Sequence, residues 1–332
     1  MDLIHADATL AEIGYVQEID QFDAEVTQET DADIHRNSFS LTVSDRVWEA
    51  DPISAGHYIY SPGTEFGGLV ESIVHSTKRQ QITVSGVTWR GMLFRKVIEP
   101  PTGEAYRIVS GEANAAIEGL LDDALGTLFT VSTSDSGITV SRQFRYTNLL
   151  LGIEQMLGEA GGALEIEFDQ ATKKVNLSVR AVVDYSASID LSQDYGVDMV
   201  TTMGGYDRYN HVIALGAGEL TAREVIHVYR LANGTLTTTA PSWAGTKDDL
   251  VVTYEYSNAT SDELESGAKK RLKELSPLNQ IEMDPSEDGL DLKLGDIVGV
   301  RDRLTGMSAS AAVVGKIATI SAGQIRIETR VR

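Results

Sequence analysis

Ser38-Phe39-Ser40-Leu41-Thr42-Val43-Ser44 alternates a small hydroxyl residue with a large apolar one at every step. A period of two puts Phe39, Leu41 and Val43 on one face of an extended strand and the hydroxyls on the other. The same grammar continues toward the carboxyl end. His57-Tyr58-Ile59-Tyr60 leads into a turn at Ser61-Pro62-Gly63, followed by Gly68-Leu69-Val70-Glu71-Ser72-Ile73 and by Gln81-Ile82-Thr83-Val84-Ser85. Short strands with turn signals every ten or so residues predict a small β-barrel or sandwich for the first hundred residues. Gly67-Gly68 and Gly204-Gly205 are read as turn glycines.

The middle of the chain changes period. Ile117, Leu120, Leu121, Ala124, Leu125 and Leu128 give a helix-spaced stripe from Ala113 to Leu128. A second helix is predicted from Asn148 to about Ala160, with Gly161-Gly162 as its stop. Leu164–Phe168 against Val175–Val179 reads as a hairpin, which makes 101–196 an α+β module. The last third returns to β with one helix near 261–275. Thr260-Ser261-Asp262-Glu263 forms a capping box before it, and Leu264, Ala268, Leu272 and Leu275 form its apolar stripe. Glu265 with Lys269 supports that helix, Pro277 lies past its end, and Ile325, Ile327, Thr329 and Val331 alternate in a final strand.

Two stretches share a layout. Gly56 leads into 57–60, a turn, Val70, Ile73 and Gln81-Ile82-Thr83-Val84. Gly295-Asp296 leads into Ile297-Val298-Gly299-Val300, a turn at Thr305-Gly306, Val314, Ile317 and Gln324-Ile325-Arg326-Ile327. Such an echo has two readings: duplication of one β element, or the recurrence of a common glycine-led hairpin.

The chain has 332 residues, 28 basic and 49 acidic, for a net charge of −21. An excess of acid disfavours tight binding of nucleic acid, which draws its strength from neutralised phosphates. There are no cysteines, so thiolate nucleophiles, disulfides and cysteine-ligated zinc are excluded together. The start, Met1-Asp2-Leu3-Ile4-His5-Ala6-Asp7, lacks a basic region followed by an apolar run, and no stretch approaches the ~18 apolar residues of a membrane span. Synthesis and folding in a cytoplasm, without membrane insertion, is the expectation.

Gly216-Ala217-Gly218 follows the strand-like His211-Val212-Ile213-Ala214-Leu215, but Arg223–Tyr229 reads as strand, so the helix that a pyrophosphate site needs is missing. Asp284-Pro285-Ser286-Glu287-Asp288-Gly289 opens like a calcium loop, yet position twelve is Gly295 where a bidentate glutamate belongs. The histidines at 5, 35, 57, 75, 211 and 227 show no zinc spacing. Tyr195, Tyr206 and Tyr209 are read as core or subunit contact. No catalytic, cofactor-binding or metal residue is assigned, no cofactor is expected, and the chain is expected not to be an enzyme.

Three ordered passages carry a resemblance: Trp89–Pro101, Asn210–Arg223 and Leu294–Asp302. Together they resemble the hub proteins of siphophage baseplates, the amino-terminal hub portion of the tail-associated or tail-tip proteins, over roughly residues 34–327. The resemblance implies an α+β, mostly β fold with two tail-tube-like β-barrel domains and an α+β module inserted between them. The limits it suggests are 1–100, completed by 197–230, for the first barrel, 101–196 for the module, and 231–332 for the second barrel. It further implies a homotrimeric ring that joins a hexameric tail tube or distal-tail ring to the tip of a virion. Its partners would be the tape-measure protein and fibre or receptor-binding proteins, with DNA present only in transit. The chain ends at Arg332 without the appended fibre, peptidase or lysozyme domain of many relatives, so no cell-wall cutting is expected of it. The competing reading is a host-envelope glycan-binding or glycan-cleaving β module, since tyrosine-rich sheets stack sugars and paired carboxylates cut them.

Overall fold

The structure is a computed structural model that describes residues 1–28, 37–121, 125, 127–188, 190–192, 198–203, 209–231, 234–257, 261–275, 279–284, 292–306 and 308–331. In chain order it begins with β1 (Ile4–Ala6), β2 (Glu12–Tyr15), β3 (Ile19–Thr27), β4 (Ser38–Ser44), α1 (Asp45–Ala50), β5 (Tyr58–Tyr60), β6 (Gly67–Ser76), β7 (Gln81–Thr88) and α2 (Trp89–Phe94). The module follows with β8 (Val97–Ile98), β9 (Arg107–Glu112), α3 (Ala113–Glu118), β10 (Phe129–Val131), β11 (Thr139–Phe144), β12 (Thr147–Asn148), α4 (Leu149–Glu159), β13 (Gly162–Asp169) and β14 (Lys174–Ala181). Then come β15 (Asp190–Ser192), β16 (Asp198–Met203), β17 (His211–Leu215), β18 (Val225–Arg230), β19 (Leu236–Thr237), β20 (Val251–Glu255) and α5 (Ser261–Glu274). The chain closes with β21 (Asn279–Asp284), β22 (Ile297–Arg301), β23 (Ser308–Ser321) and β24 (Gln324–Val331). The fold is mostly β and of the α+β class.

Contacts divide the chain into two compact units, Met1–Met199 with Met283–Arg332, and Val200–Glu282. In the first unit the strands run β24-β23-β3-β4-β7-β6-β5-β1-β2, with β22 on β23 and β15 parallel to β22. The path is open, and no closed barrel forms among the described residues. Alternation explains its two faces. Phe22, Ala24, Phe39, Leu41, Val43, Val84, Ala318 and Ile320 are buried on one side. Asp23, Glu25, Ser40, Thr42, Thr83, Ser85 and Thr319 line the other, where Thr42 meets Thr83 at 3.2 Å and Thr319 donates to Asp23 at 3.0 Å.

The strand that joins β3 is β23, in register from Gln21↔Ser321 to Thr27↔Gly315. Strands β17 and β18, expected to complete the first sheet, pair with β19 and β20 in a separate sheet covered by α5 through Leu264, Ala268 and Leu272. Residues 1–100 and the module 101–196 fall in one unit because one apolar cluster runs through both, from Ile4, Tyr60 and Trp89 to Leu150, Met156 and Phe168. The range 231–332 is divided between the two units.

The echo has a structural counterpart. β5-β6-β7 and β22-β23-β24 are both antiparallel meanders, each entered through a glycine in the left-handed region, Gly56 at φ +87° and Gly295 at φ +90°. Gly67-Gly68 departs from expectation. It lies at the start of β6 rather than in a turn, and a Cβ on Gly68 would sit 1.9 Å from the Val87 carbonyl oxygen, so close backbone approach is what demands glycine there. Helix α3 is also shorter than the stripe to Leu128 predicts. It ends at Glu118, with the Gly119 amide bonding back to Ala115. Helix α4, the 164–179 hairpin and α5 stand as predicted, including the Glu265–Lys269 pair at 2.5 Å. Ala124, Tyr195, Gly204-Gly205, Tyr206, Thr260, Pro277 and the calcium-like 285–291 lie outside the described residues.

Candidate functional site

Each of the three passages that set the chain apart supplies one buried polar side chain that ties elements together. In the first, Thr88 caps α2 by accepting from the Gly91 amide, which turns Arg90 inward. Arg90, 1% exposed, donates to Glu65 at 3.1 and 3.2 Å, to Glu154 at 2.6 Å and to the Leu164 carbonyl at 3.2 Å. Burial alone would lower this guanidinium's pKa, but the two carboxylates outweigh burial and hold it above its ordinary value. Next to it Trp89 stacks on Phe168 at 5.1 Å and on Tyr58 at 5.7 Å. In the third passage buried Asp296 accepts from Arg180 at 2.7 Å and from the amides of Lys293 and Val183 at 2.9 and 3.2 Å. Arg180 also reaches the Leu294 carbonyl at 2.8 Å, so the end of β14 is stitched to the entry of β22.

The second passage contributes His211, which heads a chain of three groups. Its Nδ1 donates to Asp249 at 2.8 Å and its Nε2 faces His227 Nδ1 at 2.8 Å. The carboxylate only accepts, which fixes the proton on Nδ1. The first unit holds a second chain of the same composition: His5 Nδ1 to Asp51 at 3.0 Å, and His5 Nε2 to His57 Nδ1 at 2.8 Å. The ring centroids are 5.0 Å apart in both pairs, with interplanar angles of 32° and 31°. Both use the same diagonal of an antiparallel ladder. His5 lies opposite Ile59 and His211 opposite Tyr229, and the partner histidine stands two residues earlier in sequence, His57 just before β5 and His227 within β18. Sequence spacing could not reveal these chains, since their members lie 16 to 52 residues apart.

The polar face of the large sheet holds a groove of about 420 Å³ lined by Ser38, Ser40, Ser85, Asp23, Glu25 and Glu71. Glu71 is paired with Arg95, Glu25 with Arg330 and Glu328 with Arg326, so those residues present no excess of positive charge. At α3 the Glu112 side chain caps the helix. Burial pushes its carboxyl up, but hydrogen bonds from Ser136 and from the amides of Ala115, Ser136 and Asn114 prevail and hold it at about 2.

Gly216-Ala217-Gly218 connects β17 to a short 3-10 turn at Leu220–Ala222 and then to β18, as a glycine turn between paired strands. Among the described residues no group of three acidic or histidine side chains is arranged to hold a metal, and no helix is long and apolar enough to cross a membrane. Glu65 and Glu154 are two carboxylates brought together, but both are engaged by Arg90, which leaves neither free as a general acid. Tyr209 is 42% exposed.

No family model matches the chain, and no curated protein matches it by sequence. Solved structures do. The prophage MuSo2 43 kDa tail protein from Shewanella oneidensis superposes with a TM-score of 0.61 at 13% identity, covering 100% of this chain and 98% of that one. Prophage tail protein gp18 from Listeria monocytogenes EGD-e gives 0.54 at 13% identity over 100% and 94% of the two chains. The tail protein from Neisseria meningitidis MC58 gives 0.54 at 13% identity over 99% and 95%. Coverage close to complete on both sides means that no large piece of either partner is left over. From end to end, this chain has the fold of phage tail proteins.

Proposed function

We propose that the chain is a structural subunit of a phage tail tip or baseplate, the hub ring through which DNA leaves the particle. The observation that carries this is end-to-end likeness to three tail proteins, at TM-scores above 0.5, without a domain left over. The role is one of geometry rather than bond chemistry. Three copies would close by cyclic symmetry through heterologous contacts. The two meanders, β5-β6-β7 and β22-β23-β24, support a reading in which each subunit supplies two tail-tube-like, barrel-like halves. A threefold ring would then match a sixfold tail tube or distal-tail ring. The domain scheme of two such halves around the 101–196 module belongs to this proposal.

In the assembled virion, put together in the host cytoplasm, the partners would be the distal-tail or tube ring, the end of the tape-measure protein and fibre or receptor-binding proteins. We assign the hydroxyl- and carboxylate-bearing sheet face to the channel. Phosphates there find no excess cation to hold them, in keeping with a chain charge of −21. The test is to mix the chain with the tail-tube or distal-tail ring of its own phage, measure the mass of the complex and image it. A threefold ring with a central hole, seated on the sixfold one, is expected. A chain that stays monomeric and ignores the tail ring sinks the assignment.

A further inference from the structure

The two Asp–His–His chains have no part in the tail assignment, yet each sits where it fastens a covering segment to a sheet. In the second unit Asp249 ends a strap, Pro241–Leu250, laid over the face of β17 and β18 opposite α5. Trp243 on that strap meets Tyr229 edge-on at 5.8 Å, and Asp249 also accepts from the Gly245 amide at 2.6 Å. Asn210 holds the strap's end by donating to the Asp248 carbonyl at 2.8 Å and accepting from the Leu250 amide at 2.9 Å. In the first unit Asp51, at the end of α1, and His57, just before β5, bracket a loop that His5 ties to β1.

The proton count of such a chain is set by geometry. A gap of 2.8 Å between two imidazole nitrogens holds one hydrogen. With both rings neutral, each carries one N–H: the inner histidine gives its own to the carboxylate and accepts the outer one's. One added proton is also accommodated. It goes to the outer ring's far nitrogen or to the inner ring, and either way a single hydrogen stays in the gap, with the aspartate balancing the charge. A second added proton puts N–H against N–H and two cations side by side, and the contact must open. We propose that each chain is a proton-gated latch that holds its covering segment with up to one added proton and releases it on the second.

The surroundings agree. Among the described residues Tyr229 stacks on His211 at 4.2 Å, Asp248 next to Asp249 in the chain pairs with Lys247 at 3.7 Å, and Asp7 lies beside His57 in the first chain. Burial and the neighbouring His211 keep His227 below its ordinary value, against the pull of Asp249. A released pair binds up to two added protons, whereas the closed pair binds at most one. Closure therefore weakens as pH falls below about 6.5, the ordinary imidazole value. The order of residues along the chain differs between the two latches, His-Asp-His against His-His-Asp, so one device is built in two ways.

Hydrogen exchange on the full chain tests this, with intrinsic rates corrected between pH 7.5 and 5. Protection of amides in 241–250 and 51–57 is expected to fall by about tenfold or more in acid, because the released pair takes up, near the ordinary imidazole value of about 6.5, a second proton that the closed pair excludes. His227→Asn keeps a hydrogen-bonding group at the Nδ1 position but cannot take up a proton. It should flatten the response of 241–250 and leave 51–57 unchanged, and His57→Asn should do the converse. Straps that stay protected at pH 5 in the unaltered chain, or a response that survives His227→Asn, overturn the proposal. Should the variants not fold, imidazole nitrogen shifts of the unaltered chain decide it. Both rings of a pair cationic while their strap stays protected is the overturning result, and at most one cation per protected pair the expected one.

Discussion

Arg90 shows how much one side chain can carry. It is buried between two carboxylates, and its removal as Arg90→Met would take from Glu65 and Glu154 the guanidinium they share. Breaking a buried pair in this way costs about 3–5 kcal/mol, so a large drop in the urea midpoint is expected. Arg90→Lys, which keeps the charge and loses the two-pronged fork, should fall in between. Glu112 is a milder case. Glu112→Ala removes the cap of α3 and should cost about 1 kcal/mol in thermal or denaturant unfolding. Because its carboxyl is held at about 2 in the folded chain, its contribution is complete above the ordinary carboxylate range and fades as pH falls toward 2. The difference between Glu112→Ala and the unaltered chain should therefore shrink in acid, and an undiminished difference there would refute the capping role.

At the scale of elements the same substitution is expected to act with opposite sign at two glycines. Gly86→Ala drives a Cβ to 2.1 Å from the Leu69 carbonyl and 2.6 Å from the Phe39 ring, where β6 runs beside β7. A loss of about 1–3 kcal/mol or more is expected from that overpacking. Gly158→Ala, in α4 with open space around it, should gain up to about 1 kcal/mol in the same unfolding assay. Most elements were legible because their signals are local. The alternation of 38–44, the stop at Gly161 and the stripe of 264–272 each depend on a few adjacent residues. What local pattern could not carry is which strand lies beside which. The pairing of β23 with β3 rests on two surfaces remote in sequence, and so do the histidine chains. The glycine pair at 67–68 was misread for a related reason, since its cause is a neighbouring strand and not its own turn.

For the whole molecule, charge gives the plainest expectation. With 49 acidic against 28 basic residues, the chain should not retard duplex DNA in a gel even at about 50 mM salt, where phosphate contacts are strong. A shifted band would remove the view of a wall past which DNA slides. The passages Trp89–Pro101, Asn210–Arg223 and Leu294–Asp302 each supply a buried tie: Arg90, His211 and Asp296. The β3–β23 ladder has one more consequence, for synthesis. Its two strands leave the ribosome nearly three hundred residues apart. At about 5–20 residues per second, β3 waits roughly 15–60 s with one edge bare. Throughout that interval the nascent chain offers a template to its neighbours on the same messenger, so its yield should depend on translation speed and on the chaperones that shield it.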